Sequence, residues 1–298
     1  MKKAFIQLHI AVFLAGFTGL LGRLISLNEG MLVWYRLLLT AITMWILFLW
    51  MKKIKRIPKA DILKIAGVGL IAMLHWLTFY ASIKYANVSV GVLCFSAIGF
   101  FTAIFEPLIT RKKFDPIELL LGIATIGGIY IIFHFDTQYK TGIIIGIISA
   151  VFASLFPIFN RQFLKRINVE TMLAWQQTGG LIGLSALLPL YLHLFPNKNG
   201  FIPGWEDFGW LLVLSWCCSV IAFQLSSNAL KHLSAFTVNL TYNLEPLYGI
   251  VLAFVVYKEN ELLSKWFYVG TAIIMAALII HVILLRKQQK KQLTHAGQ

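Results

Sequence analysis

The chain has 298 residues, 59% of them hydrophobic and only 13% charged, with a mean hydropathy of +0.78 and a formal charge of +14. Soluble domains carry about 25% charged residues, so this composition excludes a water-covered globule and leaves a surface that mostly faces lipid. The positive charge does not point to nucleic acid, because no basic stretch is interleaved with stacking aromatics, and Cys94, Cys217 and Cys218, all inside apolar runs, supply neither a disulfide framework nor a zinc site.

One crossing of a hydrocarbon core takes about 20 apolar residues. A backbone in lipid must satisfy its own hydrogen bonds, so each apolar run is read as a helix. The first run, 4–22, follows Lys2 and Lys3 like the start of a secretion signal. No small-residue cleavage site follows, so it is read as an uncleaved span. The second, 30–51, holds Arg36 two turns from its outer end. There the side chain either snorkels to headgroups or attracts a solute carboxylate. The third, 65–83, places His75, Trp76, Phe79 and Ser82 for one side of a cavity; His75 reads equally as a packing histidine and as a proton relay. The fourth, 85–110, ends in Glu106, Pro107 and Leu108 before the Arg111–Lys113 cluster. Glu106 lies about 7–8 Å along the helix from that cluster, within reach of an interfacial ion pair or an inner gate, and Pro107 is a candidate hinge. The fifth run is 119–135. The sixth, 141–160, brings Phe156, Asn160 and a kink at Pro157. The seventh, 171–197, carries Gln176 and Gln177; the eighth, 208–230, offers Gln224, Ser227 and Asn228.

The ninth run, 232–257, contains the oddest residue of the chain. Glu245 stands between Lys231 and Lys258, roughly 20 Å from either end at 1.5 Å per residue. A charge at that depth costs between about 2.5 and more than 10 kcal/mol. Either the acid is protonated and bonded inside the bundle, or it meets a watery cavity, a cationic solute group or another polar residue. Pro246 removes the N–H that the Tyr242 carbonyl needs and biases Glu245 away from helical dihedrals, so the helix is expected to kink beside its own carboxylate. Tyr242 shares its face, and Asn239 and Asn243 flank it. Mid-span amides such as Asn239, Gln224 and Asn228 otherwise bridge helices for about 0.6–2 kcal/mol each. The tenth run, 266–285, leads into a polar, basic tail, 287–298, expected to be disordered.

With ten spans, nineteen of the 26 basic residues fall on the side of the N-terminus and six on the other, Arg36 being inside a span. The positive-inside rule then predicts a multi-pass protein of the cell (inner or plasma) membrane, both termini cytoplasmic, its basic ends drawn to anionic headgroups. The chain also repeats itself. Spans 4 and 9, aligned at Ser89 and Ser234, match in length and apolar pattern; Gly122 of span 5 pairs with Gly270 of span 10, and Arg36 with Gln176. Residues 4–135 therefore correspond to 141–286, and with five spans each the second copy enters from the opposite face. Inverted repeats are common in secondary transporters, with the site at the midplane between them.

That pattern, with NVSVGVLCF and HLSAFTVNL opening spans 4 and 9, resembles the EamA-type transporters of the drug/metabolite transporter superfamily. The resemblance implies solute transport without a cofactor, through a cavity lined mainly by helices 1, 3, 4, 6, 8 and 9. Family members often carry a proline near Gly99–Phe101, whereas this chain has Pro107 lower down.

The expectation is an all-α membrane protein moving a small organic metabolite, amino acid or drug-like solute by alternating access, as an exporter, with proton coupling open to it. Glu245, Tyr242, Asn239, Asn243, Gln224, Asn228, His75, Trp76, Phe79 and Arg36 are the candidate substrate or proton site, and Pro246, Pro157 and Pro107 the hinges. Partners are the solute and the bilayer, with a monomer favoured. The alternatives are an intramembrane enzyme, which would need clustered nucleophiles or ligands, and a membrane assembly subunit that transports nothing.

Overall fold

The computed structural model describes residues 2–195, 200–242 and 244–296, and all their regular structure is helical. In chain order come α1 (Lys2–Leu24), α2 (Glu29–Trp50) and α3 (Lys59–Tyr85). α4 (Val88–Cys94) and α5 (Ile98–Thr110) are joined by a 3₁₀ turn at Phe95–Ala97. α6 (Pro116–Phe135), α7 (Lys140–Phe163) and α8 (Val169–Leu194) follow. α9 (Trp205–Ser215) and α10 (Ala222–Leu230) are joined by a π-helical stretch, Trp216–Ile221, and α11 (Ala235–Tyr242), α12 (Glu245–Tyr257) and α13 (Lys265–Ala296) complete the chain. Seven continuous stretches are long and apolar enough to cross a membrane: α1, α2, α3, Val88–Thr110, α6, Thr137–Phe163 and Trp205–Leu230. Exposed Ile46, Leu120, Leu190 and Val255 fit the outer surface of such a bundle.

Two stretches are built alike. The side chain of Asn87 accepts from Val90 N at 2.8 Å and starts α4; Ser234 Oγ accepts from Thr237 N at 2.9 Å and starts α11. The 3₁₀ turn interrupts the first and Leu244 the second, and each resumes as a 13-residue helix, α5 or α12. Each then ends on a left-handed residue, Arg111 at φ 56° or Lys258 at φ 52°. Every one of these marks recurs 147 positions later. The aligned residues are thus Asn87 and Ser234, two positions from the pairing expected with Ser89, and Glu245 corresponds to Ile98 rather than Phe100. Ser89 is the second residue of α4, where its backbone N–H donates to Glu259.

α5 runs through Pro107, and the interruption of the stretch lies upstream at Phe95–Ala97. α7 likewise continues through Pro157. The tail departs from expectation too, since α13 extends to Ala296; Lys, Gln, Leu and Ala are sound helix formers and residues 287–296 contain no Gly or Pro.

In the interior α3 packs on α7 and α8, α1 on α10 and α12, and α6 on α13. Gly128 and Gly270 let α6 and α13 meet backbone to backbone. A Cβ on either would lie 2.7 or 2.5 Å from the other's carbonyl oxygen.

Polar contacts tie both ends. At one end Glu259, fully buried, pairs with Arg23 and accepts from Val88 N at 3.0 Å and Ser89 N at 2.8 Å, while Asp207 holds Ser26. At the basic end Arg166 grips Asp61 through two bonds of 2.6 and 2.7 Å, and Glu106 lies 3.6 Å from Lys112 and 3.9 Å from Arg161. Glu106 thus takes the interfacial pairing its spacing allowed.

Candidate functional site

The site begins at the break between α11 and α12. Pro246 occupies the first turn of α12, where its missing N–H leaves no intrahelical bond unmade. The chain turns tightly there, Leu244 N donating to the Thr241 carbonyl at 3.0 Å and Tyr248 N to the Leu244 carbonyl at 3.3 Å. Glu245 therefore stands at a helix N-terminus, where the backbone dipoles favour negative charge, yet inside the bundle, 6% exposed.

Its neighbours surround a cavity of about 60 Å³. Of the predicted residues, Glu245, Tyr242, Asn239, Arg36, His75, Trp76, Phe79 and Pro157 line it together. Thr18, Phe95, Phe156, Asn160, Gln176 and Phe223 add to the walls. Among the described residues the fifth and tenth spans, α6 and α13, do not line it, while the second and seventh, α2 and α8, add Arg36 and Gln176 to the spans that the resemblance implies. Sites for drug-sized ligands run to about 300–1,000 Å³, and one water needs roughly 10–15 Å³. The cavity is contracted to water-sized room.

Arg36, 2% exposed, is committed to the protein. Nε donates to Ser219 Oγ at 2.8 Å, one terminal nitrogen to Tyr80 Oη at 2.7 Å, and the other to the Cys218 carbonyl at 3.4 Å. Its guanidinium lies 4.2 Å from the Trp76 ring centroid, and Trp76 stacks on Phe223. Two of these acceptors come from the π-helical stretch, whose wider turn also lets Ser219 Oγ donate to Leu214 O five residues back, at 3.2 Å. π-bulges cluster at functional sites. Nothing in the sequence reading pointed to this one; Tyr80, readable there as a deep aromatic that could line a cavity, is instead a partner of Arg36.

Glu245 is in a different condition: among the described residues its carboxylate has neither a hydrogen bond nor an ion pair. Asn239 supplies a second open acceptor. Its Nδ2 donates to Thr102 Oγ1 at 2.8 Å, and the Thr102 hydroxyl donates to Ile98 O at 2.7 Å. Thr102 must therefore accept, which fixes the amide's orientation and leaves Asn239 Oδ1 buried without a partner among the described residues.

His75 lines this cavity. The Ser149 hydroxyl donates to the His75 carbonyl at 3.0 Å, so its oxygen accepts from His75 Nδ1 at 2.8 Å. The ring sits 5.4 Å from Phe95 and 5.8 Å from Phe79. Among the described residues no hydrogen bond joins it to Glu245.

Two predicted residues are elsewhere. On α10 the cavity is faced by Ala222, Phe223, Ser226, Ser227 and Leu230, so the helical period turns Gln224 and Asn228 away. Gln224 Nε2 donates to Glu170 at 3.3 Å, and Asn228 lines a separate pocket with Lys3 and Lys231. Pro246 is buried behind the cavity wall. Asn243 lies outside the described residues.

Comparison with known proteins adds three findings. The EamA-like transporter family matches over residues 2–134 and 140–283. An uncharacterized transporter of Haemophilus influenzae (strain Rd) is 23% identical over 276 residues, 86% of either chain. A solved crystal structure has a TM-score of 0.69 at 16% identity, covering 97% of this chain and 99% of its own, a likeness of fold alone.

Proposed function

The chain belongs to the EamA-like transporter family, within the drug/metabolite transporter superfamily, and from that premise we propose that it exports a small organic solute bearing a protonated amine, in exchange for protons. It is a multi-pass membrane transporter, and the family and its transporter relative point away from an enzyme. The ten helical segments act as two inverted halves that rock about the cavity, with both termini cytoplasmic. The matched caps and breaks of Val88–Thr110 and Ala235–Tyr257 support that arrangement.

The observation that carries the solute class is the inequality of the two buried charges. Arg36 already has three acceptors and an aromatic face, whereas the Glu245 carboxylate and Asn239 Oδ1 are open. A solute with N–H donors and a positive charge meets both. Its apolar body finds Trp76, Phe79, Phe156 and Tyr242. A solute carboxylate would have to pull Arg36 from Ser219 and Tyr80.

Charge balance supplies the coupling. With Glu245 ionised, Arg36 and Glu245 sum to zero. A bound ammonium or a proton on Glu245 brings the cavity to the same +1, so the two compete for one carboxylate. Each carried in the opposite direction by alternating access gives exchange.

The test is thermal stabilisation of the purified protein by matched amines, alcohols and carboxylates of one carbon skeleton. Amines at a hundred times their Kd should stabilise by about 2.7 kcal/mol, and Glu245→Gln should abolish that gain. Equal stabilisation by the carboxylates, or by amines in Glu245→Gln, would remove the amine assignment.

A further inference from the structure

A second cavity, wider than that of Glu245 at about 970 Å³, is set among α3, α5 and α7 at their basic ends. It uses the other side of α7, Phe159 and Gln162 rather than Phe156 and Asn160, so it is separate from the Glu245 cavity. Lys64, Lys165 and Arg166 stand at its rim. Ile71, Ile109 and Phe159 form its apolar wall.

We infer that this cleft binds one anionic diacyl phospholipid, its headgroup phosphate between Lys64 and Lys165 and an acyl chain along Ile71 and Phe159. Charge is the first argument. Arg166 is closed on Asp61 by its two bonds of 2.6 and 2.7 Å, and that pair is neutral. Lys64 and Lys165 are exposed and have no carboxylate partner among the described residues. The rim therefore carries two uncompensated positive charges, which attract an anion.

Depth is the second argument, and it chooses a lipid over a soluble anion. Lys64 lies one turn inside the start of α3 and Lys165 just past the end of α7. Ile71 is seven residues deeper than Lys64, roughly 10 Å along the helix. A free phosphate would satisfy the lysines and leave the apolar wall facing water. A phospholipid places phosphate and hydrocarbon at these two depths at once. Basic pockets between membrane helices bind anionic headgroups for the same reason.

Gly67 gives a means of filling the cleft without touching its charge. It lines the cavity, and a Cβ built on it meets no atom within 4 Å. The experiment is native mass spectrometry of the detergent-purified full chain titrated with phosphatidylglycerol or with phosphatidylcholine. Wild type should hold one phosphatidylglycerol in preference to phosphatidylcholine. The double variant K64Q/K165Q should bind it about 25-fold more weakly, some fivefold per lysine. G67L, equal in charge to wild type, should lose the tight adduct as well. K52Q/K59Q removes the same charge outside the cleft and should change nothing; helical circular dichroism and elution volume confirm that each variant is folded.

Equal weakening by K52Q/K59Q would mean diffuse attraction and overturn the site. So would an unaltered adduct in G67L, or equal retention of phosphatidylcholine. Displacement of the lipid by millimolar glycerol phosphate would assign the cleft to a soluble anion instead.

Discussion

Tyr80 tests how Arg36 is held. Removing its hydroxyl strips one charge-assisted bond, 2.7 Å long, from a buried guanidinium. Tyr80→Phe should lower unfolding stability by about 1–3 kcal/mol, read from denaturant titration in detergent. A change below a few tenths would mean that Arg36 does not depend on that bond. Asn239 makes a milder case. Its bond to Thr102 spans α11 and α5, and a double-mutant cycle of Asn239→Ala with Thr102→Val should return a coupling of about 0.6–1.7 kcal/mol. Zero coupling would put the bond in doubt. At this scale the sequence was informative about which residues are out of place in oil, and silent about their partners. Glu245 was legible because its distance from both flanking lysines can be counted. Arg36 was legible as a charge in an apolar run that could snorkel; its burial and its cradle were not, because a π-turn leaves no mark in a run such as WCCSVI. Gln224 and Asn228 misled because polarity in a span does not say which way the side chain faces.

The elements report two different uses of glycine. A Cβ on Gly128 would meet the Gly270 carbonyl at 2.7 Å and Ile274 at 2.8 Å, so Gly128→Ala should cost about 1–3 kcal/mol by overpacking. Gly67 has open space in front of it, and Gly67→Ala should be neutral or stabilise α3 by up to about 1 kcal/mol. Reversal of the two signs in thermal unfolding would contradict the packing of α6 on α13. The Glu259 latch gives the second prediction at this scale. Glu259 from beyond α12 caps α4 and pairs with Arg23, stapling one end of the bundle shut. Glu259→Gln keeps the shape and weakens charge-assisted bonds by about 1.5–3 kcal/mol, a shift of roughly 10- to 150-fold towards an end-open state. A Ser89→Cys thiol, in a chain with Cys94, Cys217 and Cys218 replaced by alanine, should then label faster with an impermeant maleimide. Unchanged labelling would deny the latch. Most helices follow the apolar runs, and the break beside Pro246 follows from the N–H that proline lacks. The break at Phe95–Ala97 was not readable, because it contains no proline, and the one nearby, Pro107, lies within an unbroken α5. The capping bonds of Asn87 and Ser234, with the left-handed ends at Arg111 and Lys258, mark the two interruptions as counterparts.

For the whole molecule, the contracted cavity and the polar ties at both ends describe a closed bundle around one open carboxylate. Transport then requires the ties to release in turn, and the two broken stretches are the elements shaped alike at both ends for that exchange. Composition alone gave the membrane, and loop charge gave an expected orientation. The likeness of the two broken stretches needed their caps and helix ends to set its offset of 147 positions. The direct measurement is uptake of an amine that stabilises the protein into proteoliposomes, with and without an imposed pH gradient, for wild type, Glu245→Gln and Glu245→Ala. The account predicts that wild-type flux rises when protons run opposite to the amine and that both variants fall at least about tenfold, the loss of some 1.4 kcal/mol or more of binding. Wild-type rates from both variants, or flux blind to the gradient, would contradict it.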